Sequence, residues 1–206
     1  MASPTVFLVD DDPDVLQATQ RLLESAELTV RGFNSPKDFL ECCDSDVQGC
    51  VVLDLAMPEL SGLELQRALS GRHISLPIVF LSGQADIRAC ADGMSQGAVD
   101  FLTKPVDDAE LLEAVKRGLE FDGSLRHELA ERARVEASLT ALTSREREVL
   151  TQVVAGRLNK QIASELGTVE KTVKFHRGNL MRKLGVRSVA ELVRFAELAG
   201  ITNAGS

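Results

Sequence analysis

Several short apolar runs in this chain end in residues that could do chemistry. Val51 to Leu53 leads into Asp54, and Thr5 to Val9 leads into Asp10, Asp11 and Asp12, so two segments of strand character deliver carboxylates at their ends. Pro77 to Ser82 ends in a hydroxyl, and Ala98 to Leu102 leads to Thr103, Lys104 and Pro105. Open α/β sheets bind ligands beyond the carboxyl ends of their strands, which would bring Asp10, Asp11, Asp54, Ser82 and Lys104 to one edge. A lone Asp at such a point could simply cap a turn, but matching chemistry at the other strand ends favours a site. Adjacent carboxylates repel unless a cation neutralises them, and an all-oxygen donor set favours Mg²⁺. In that setting Asp54 could attack a phosphoryl group, with Lys104 pairing to one phosphoryl oxygen and Ser82 donating a hydrogen bond to another.

The elements that must position these residues alternate. After the first strand, Val15, Leu16, Ala18, Leu22 and Leu23 recur at helical spacing from Pro13 to Ala26, with Pro13 in the first turn. Leu28 to Phe33 reads as a strand, and Ser35-Pro36 opens a helix to about Cys43. Gly62 to Leu69 is a helix, Asp86 to Gln96 a helix weakened by Gly93, and Asp108 to Leu119 a closing helix. Five βα repeats with continuously apolar strands predict a (βα)5 doubly wound parallel sheet covered by helices on both faces, an α/β fold.

From Phe121 to Leu142 the sequence lacks Pro and is rich in Glu, Arg and Ala, with Leu125, Leu129, Arg132, Val135 and Leu139 near one stripe. This predicts a helical linker, either a solvated spacer or a short dimerising coiled coil, with Gly123 breaking it from the helix before. Beyond it, apolar periodicity interrupted by Gly156, Gly167 and Gly185 predicts an all-α domain of four helices: Ser144 to Ala155, Asn159 to Leu166, Val169 to Leu184 capped by Thr168, and a last one capped by Ser188. The organisation is therefore residues 1–121, a linker over 122–141, and 142–206.

Bulk properties agree with two domains. The chain has 206 residues, 44% hydrophobic and 26% charged, enough for one domain of ordinary size and a smaller one. Residues 1–121 hold 9 Lys and Arg against 21 Asp and Glu, a charge of −12, whereas residues 122–206 hold 14 against 10, a charge of +4. The two parts should meet different partners, and the basic helical part suits a polyanion such as nucleic acid. No apolar run is long enough for a membrane span and the N-terminus does not read as a secretory signal, so a cytoplasmic protein with no membrane partner is expected. Cys42, Cys43, Cys50 and Cys90 show no metal-ligand spacing and read as reduced thiols, mostly in or near the core.

Within the basic part, a helix ending at Gly167 is followed by a short turn and a second helix bearing Lys171, Lys174, Arg177, Arg182 and Lys183. That spacing is a helix-turn-helix. Thr168 and Thr172 lie at its N-terminal end, where backbone N–H groups and hydroxyls can hold phosphates. Of Phe175, Leu180, Met181 and Leu184, most should be core, while Phe175 follows Lys174 on the outer face and could touch a thymine methyl. His176 is expected inside the bundle.

Two family resemblances emerge from these residues. The segments LVDDD, VVLDLAMPELSG, VFLSG and DFLTKP resemble the four signature segments of a bacterial response-regulator receiver domain over about residues 4–121. The resemblance implies that Asp54 accepts a phosphoryl group from a sensor histidine kinase. It further implies that Asp10, Asp11, Asp54 and the backbone carbonyl of Ala56 hold Mg²⁺, that Ser82 and Phe101 are switch residues, and that a cis bond joins Lys104 to Pro105. LTSREREVL through KTVKFHRGNLMRKLGVRSVAELV resembles a LuxR-type DNA-binding domain, the output module of the NarL/FixJ regulators. It implies that Lys171, Lys174, Phe175 and Gly178 face the major groove of double-stranded DNA and that Lys160, Thr168, Thr172, Asn179 and Lys183 contact phosphates.

The expected function is therefore phosphorylation-gated transcriptional regulation: phosphate on Asp54 moves Ser82 and Phe101, and the altered surface promotes a homodimer that reads paired half-sites. RNA polymerase is a candidate further partner. Two alternatives are a Mg²⁺-dependent phosphohydrolase, for which Ala56 stands where a water-activating acid is needed, and a regulator that binds DNA or protein without phosphorylation. Two residues depart from commoner ones in the receiver family: Ala56 is smaller than the usual Arg, Asn or Met, and Gln84 stands where His is frequent. A small Ala56 leaves the phosphoryl group open to water, whereas Gln84 could orient or obstruct that water. Ala56→Arg should therefore slow autodephosphorylation, measured as the decay of phosphorylated protein; faster decay than wild type defeats this reading.

Overall fold

The computed structural model describes residues 4–44, 47–83 and 87–201, and divides into two compact units, Met1–Arg126 and His127–Ser206. In the first, the strands β1 (Thr5–Val9), β2 (Thr29–Phe33), β3 (Gly49–Asp54), β4 (Ile78–Ser82) and β5 (Asp100–Thr103) are all parallel in the order β2-β1-β3-β4-β5. The helices between them are α1 (Pro13–Ser25), α2 (Pro36–Cys42), α3 (Gly62–Gly71) and α4 (Ile87–Ser95), followed by α5 (Asp108–Thr140). Every residue of β3 and β4 is buried, as expected of central strands covered on both faces. Their side chains feed two apolar layers, one around Leu53, Leu65 and Phe80 and the other around Val52, Leu81 and Val115.

Local sequence accounts for the helix starts. Asp12 caps α1, its Oδ1 accepting the N–H groups of Asp14 and Val15 at 2.9 and 3.3 Å. Ser35 caps α2, and Ser61 with Glu64 closes a reciprocal capping box on α3. Two glycines allow close packing beside the strand ends. A Cβ at Gly62 would stand 2.6 Å from the Asp54 carbonyl oxygen, and one at Gly93 would stand 2.9 Å from the Phe80 ring. Gly93 thus lets α4 lie against β4 instead of weakening it; Asp86, expected to begin that helix, lies outside the described residues, as does Gln84.

The expected break at Gly123 does not occur: α5 continues from Asp108 through Gly123 to Thr140. A single Gly in a helix costs about 1 kcal/mol relative to Ala, and tertiary anchors beside it outweigh that. The buried Asp122 carboxylate accepts the Gly49 N–H at 3.1 Å and both its oxygens accept from Arg126 Nε at 2.9 Å, while Arg126 also donates to the Val47 carbonyl. The helix is thereby tied to the start of β3. Of the stripe read as a linker seam, Val135 is buried and Leu139 packs on the core of the second unit, whereas Leu129 is exposed. Of the four thiols, expected mostly in or near the core, Cys50 is buried, where desolvation pushes its pKa up to about 12, Cys43 and Cys90 are half-buried, and Cys42 is exposed at the end of α2 and accepts from Arg31.

The second unit contains the last part of α5 and the helices α6 (Ser144–Val154), α7 (Asn159–Glu165), α8 (Glu170–Leu184) and α9 (Val189–Leu198). Val149, Leu150, Ile162, Val173, Leu180 and Leu192 form its core. The cap of α8 is Val169, one residue later than expected, and makes no side-chain hydrogen bond; Thr168 precedes it. Glu146 is buried although it lies in the first turn of α6. Its Oε2 accepts the Thr143 N–H at 2.9 Å and the Lys183 ammonium at 2.7 Å, and Lys183 also donates to the Ala141 carbonyl at 3.0 Å.

The Lys183 hydrogen bond first, and then the Thr143 N–H, hold the Glu146 carboxyl below its ordinary value of 4.5. A lowered carboxyl adds stability above its unfolded pKa and loses it as pH falls through the folded one. Glu146→Gln should therefore lower the stability of the second unit at pH 7 by about 1–2 kcal/mol, and the gap should shrink below about pH 4. Urea unfolding of the full chain at both pH values measures this; an equal gap at both pH values contradicts the ionic role.

Candidate phosphoacceptor and nucleic-acid sites

The carboxyl edge of the parallel sheet gathers its polar residues around one ammonium. Asp54 is the last residue of β3, Ser82 the last of β4, and Asp10 and Lys104 follow β1 and β5 directly. Because β1 and β4 flank β3, the sheet order brings these termini together. Lys104 Nζ donates to Asp10 Oδ2 at 2.7 Å and to Asp54 Oδ1 at 2.5 Å. Backbone amides hold the other oxygens: the Asp12 N–H donates to Asp10 Oδ1 at 3.0 Å, and the Ala56 N–H to Asp54 Oδ2 at 2.8 Å. Asp10, Asp54 and Ser82 are all buried. The Lys104 N–H donates to the Ser82 carbonyl at 2.7 Å, and the peptide bond from Lys104 to Pro105 is cis.

Burial works to lower the Lys104 pKa, but hydrogen bonds and charge from Asp10 and Asp54 outweigh it and raise the pKa above 10.5. Lys104 therefore remains an ammonium at neutral pH. Two buried carboxylates sharing one ammonium still leave a net negative crevice of oxygen donors, which fits a hard divalent cation in charge and donor type. Asp11 is not drawn into that pair: it is exposed, and among the described residues no three His, Cys, Asp or Glu side chains converge as a metal cluster. Ala56 is exposed beside Asp54. Phe101, in register with Phe80, is half-buried, and the two ring centroids lie 5.9 Å apart.

On α8 the exposed residues fall on one side. Lys171, Lys174, Phe175, Gly178 and Arg182 are exposed, each three or four residues from another of the set, whereas Val173, Leu180 and Leu184 face the core. Lys174 pairs with exposed Glu170, at 3.1 Å. Lys160 is exposed, and Thr168, Thr172 and Asn179 are partly exposed. Lys183 departs from the expected phosphate-facing set, because its ammonium is occupied by Glu146 and the Ala141 carbonyl. His176 is half-buried with its ring edge-on to Phe175, their centroids 5.7 Å apart.

Sequence reasoning missed Leu158 and Val169, which are 69% and 65% exposed and precede the first helical residues of α7 and α8. Together with Phe175, 62% exposed, they put apolar surface among the basic residues. No local signal marks them, since an apolar residue flanking a helix start can equally pack on that helix's first turns.

Residues 6–116 match the family described as the response regulator receiver domain, and residues 140–196 match the bacterial regulatory proteins of the luxR family. The chain is 44% identical over 191 residues to the transcriptional regulatory protein TdiR of Thauera aromatica, covering 93% of this chain and 84% of that protein. It is 36% identical over 200 residues to the transcriptional regulatory protein FixJ of Rhizobium meliloti, covering 97% and 98% respectively. The structure of the response regulator StyR superposes with a TM-score of 0.89 at 43% identity, over 95% of this chain and 99% of that one. Full-length FixJ from B. japonicum gives 0.61 at 32% identity, over 98% and 100%. With a receiver sheet at its N-terminal end and a LuxR-type helical unit at its C-terminal end, the chain belongs to the DNA-binding response regulators of two-component systems.

Proposed function

We propose that Asp54 is the phosphoacceptor and that its phosphorylation by a sensor histidine kinase raises the DNA affinity of the C-terminal unit by promoting a homodimer. The observation that carries this reading is the Lys104 ammonium shared by two buried carboxylates, Asp54 at the end of the central strand and Asp10 just after the neighbouring β1. An Asp54 carboxylate oxygen attacks phosphorus, the bond to the donor breaks, and an acyl phosphate forms. Lys104 is close enough to pair with the oxygens this brings in, and its raised pKa keeps it charged for that purpose. Asp10, Asp54 and the Ala56 carbonyl, with Asp11 at the next residue, would hold Mg²⁺, which supplies charge neutralisation for the incoming phosphoryl oxygens. The Ser82 hydroxyl donates to one of those oxygens, and Phe101, packed on Phe80, follows it.

For the output, the exposed stripe of Lys171, Lys174, Phe175 and Gly178 enters the major groove. Lys160, Thr168, Thr172 and Asn179 hold phosphates beside it, while Lys183 serves the fold through Glu146. The α8 terminus suits a phosphate because its cap residue, Val169, offers no side-chain acceptor to the first N–H groups. Gly178 leaves part of the stripe without a side chain and so makes no base contact of its own.

Acetyl phosphate with Mg²⁺ should raise the DNA affinity of the wild-type chain at least about tenfold, a coupling of about 1.4 kcal/mol, and shift its mass in solution towards a dimer. Asp54→Asn should do neither. Fluorescence anisotropy and light scattering on both proteins read these outcomes, and unchanged affinity in wild type rules out phosphate gating. On the DNA side, Lys160→Ala should weaken all sequences alike and reduce the salt slope by about one. Lys174→Ala should also flatten the preference for operator over random DNA, and retention of that preference removes Lys174 from the reading stripe.

A further inference from the structure

Within the first unit, α5 meets the entry to β3 at three successive turns. A Cβ at Gly118 would stand 2.5 Å from Cys50 Sγ, so glycine lets the helix lie this close to the strand. One turn on, the buried Asp122 carboxylate accepts the Gly49 N–H, and one turn further Arg126 donates to Asp122 and to the Val47 carbonyl. Residues four apart share a helix face, and the partners of 118, 122 and 126 step back along the chain from 50 to 49 to 47.

Beyond Arg126 the helix loses its support. Residues 127–134 are all exposed, and the next buried residue is Val135. A span of about two turns is too short to be helical by itself. Its ion pairs, Glu128 with Arg132 and Glu131 with Arg134, are exposed and worth little. Gly123 lies between the two anchoring residues, exposed and with open space where a Cβ would stand, so packing does not require it. Alanine at that position would favour the helix about fivefold. A glycine that packing does not need, set in the last anchored turn, marks where the helix parts first once its anchors are released.

We infer that Asp122 and Arg126 are positioning residues of the output: they latch α5 across Gly123, and the closed latch carries phosphorylation of Asp54 to the DNA-binding unit. A continuous helix passes on any shift of its anchored end, whereas a helix broken at Gly123 is a flexible tether that keeps the second unit near and transmits nothing more. β3 has the latch's partners at its entry and Asp54 at its end, so latch and input share one strand. The inference rests on the phosphate gating proposed above.

Two measurements on the full chain test it, both with the double variant Asp122→Asn, Arg126→Met. That variant removes both charges, so no lone carboxylate stays buried, and the introduced amide can still accept the Gly49 N–H. Amide exchange read by mass spectrometry should become at least about tenfold faster around Gly123, the worth of a hydrogen bond to a charged group. Adding Gly123→Ala should slow it again about fivefold. Anisotropy with a duplex selected from a randomised library by the phosphorylated wild-type chain reads the output. Acetyl phosphate with Mg²⁺ should label Asp54 in the double variant at the wild-type rate, but the gain in DNA affinity should fall from about tenfold to about threefold or less, and Gly123→Ala should restore it. Arg126→Met alone, at a half-exposed position, replaces the double variant if that one does not label. Wild type without any gain defeats the gating reading itself. A full gain in a latch variant that labels normally defeats only the latch, as does unchanged exchange around Gly123.

Discussion

The contact on which the receiver unit turns is the Lys104 ammonium held between Asp10 and Asp54. Two carboxylates cannot be buried side by side without a counter-charge, and Lys104 supplies it from a strand at the far edge of the sheet. The sheet order follows functionally from this need. β3 must lie beside β1 for the two acids to meet, and β5 must end close enough for its next residue to reach back over β4. A lysine with a raised pKa is a stable counter-ion at rest and a ready partner for added phosphoryl oxygens. The same residue can therefore serve the folded state and the modified one.

The second unit divides its basic residues by a similar economy of charge. Lys183 and Lys174 both lie on α8, yet only Lys183 meets the buried Glu146. Glu146 itself closes the capping box of α6, so one carboxylate satisfies a helix start and anchors α8 against it. What remains outward on α8 is a stripe of positive charge interrupted by Phe175 and Gly178, with apolar Leu158 and Val169 nearby in the helix-turn-helix. Charge supplies attraction to phosphates irrespective of sequence, while the stripe's own side chains provide what base readout there is.

Much of the fold was legible because its signals are local. Apolar runs ending in Asp54 or Ser82 mark strand ends, and Ser35 and Ser188 mark helix starts where backbone N–H groups need acceptors. The fate of Gly123 was not legible in this way. Propensity argues for a break there, but the helix is held by Asp122 and Arg126 against the start of β3, residues distant in the chain. Gly93 misled for the same reason, since its value lies in the Phe80 ring it admits.

The candidate sites separate along the same line. By itself the sequence determined the residue types at each strand end, the division of charge between the two parts, and the helical spacing of the basic stripe, all properties of neighbouring residues or of periodicity. Only the tertiary structure decided that Asp10 turns inward while Asp11 remains exposed and Asp12 caps α1, because three consecutive acids are equivalent until a sheet and a lysine select one. It likewise decided that the Lys183 ammonium serves the buried Glu146 while Lys174 pairs with the exposed Glu170. Burial and counter-charge depend on what arrives from elsewhere in the chain, and no local pattern contains that information.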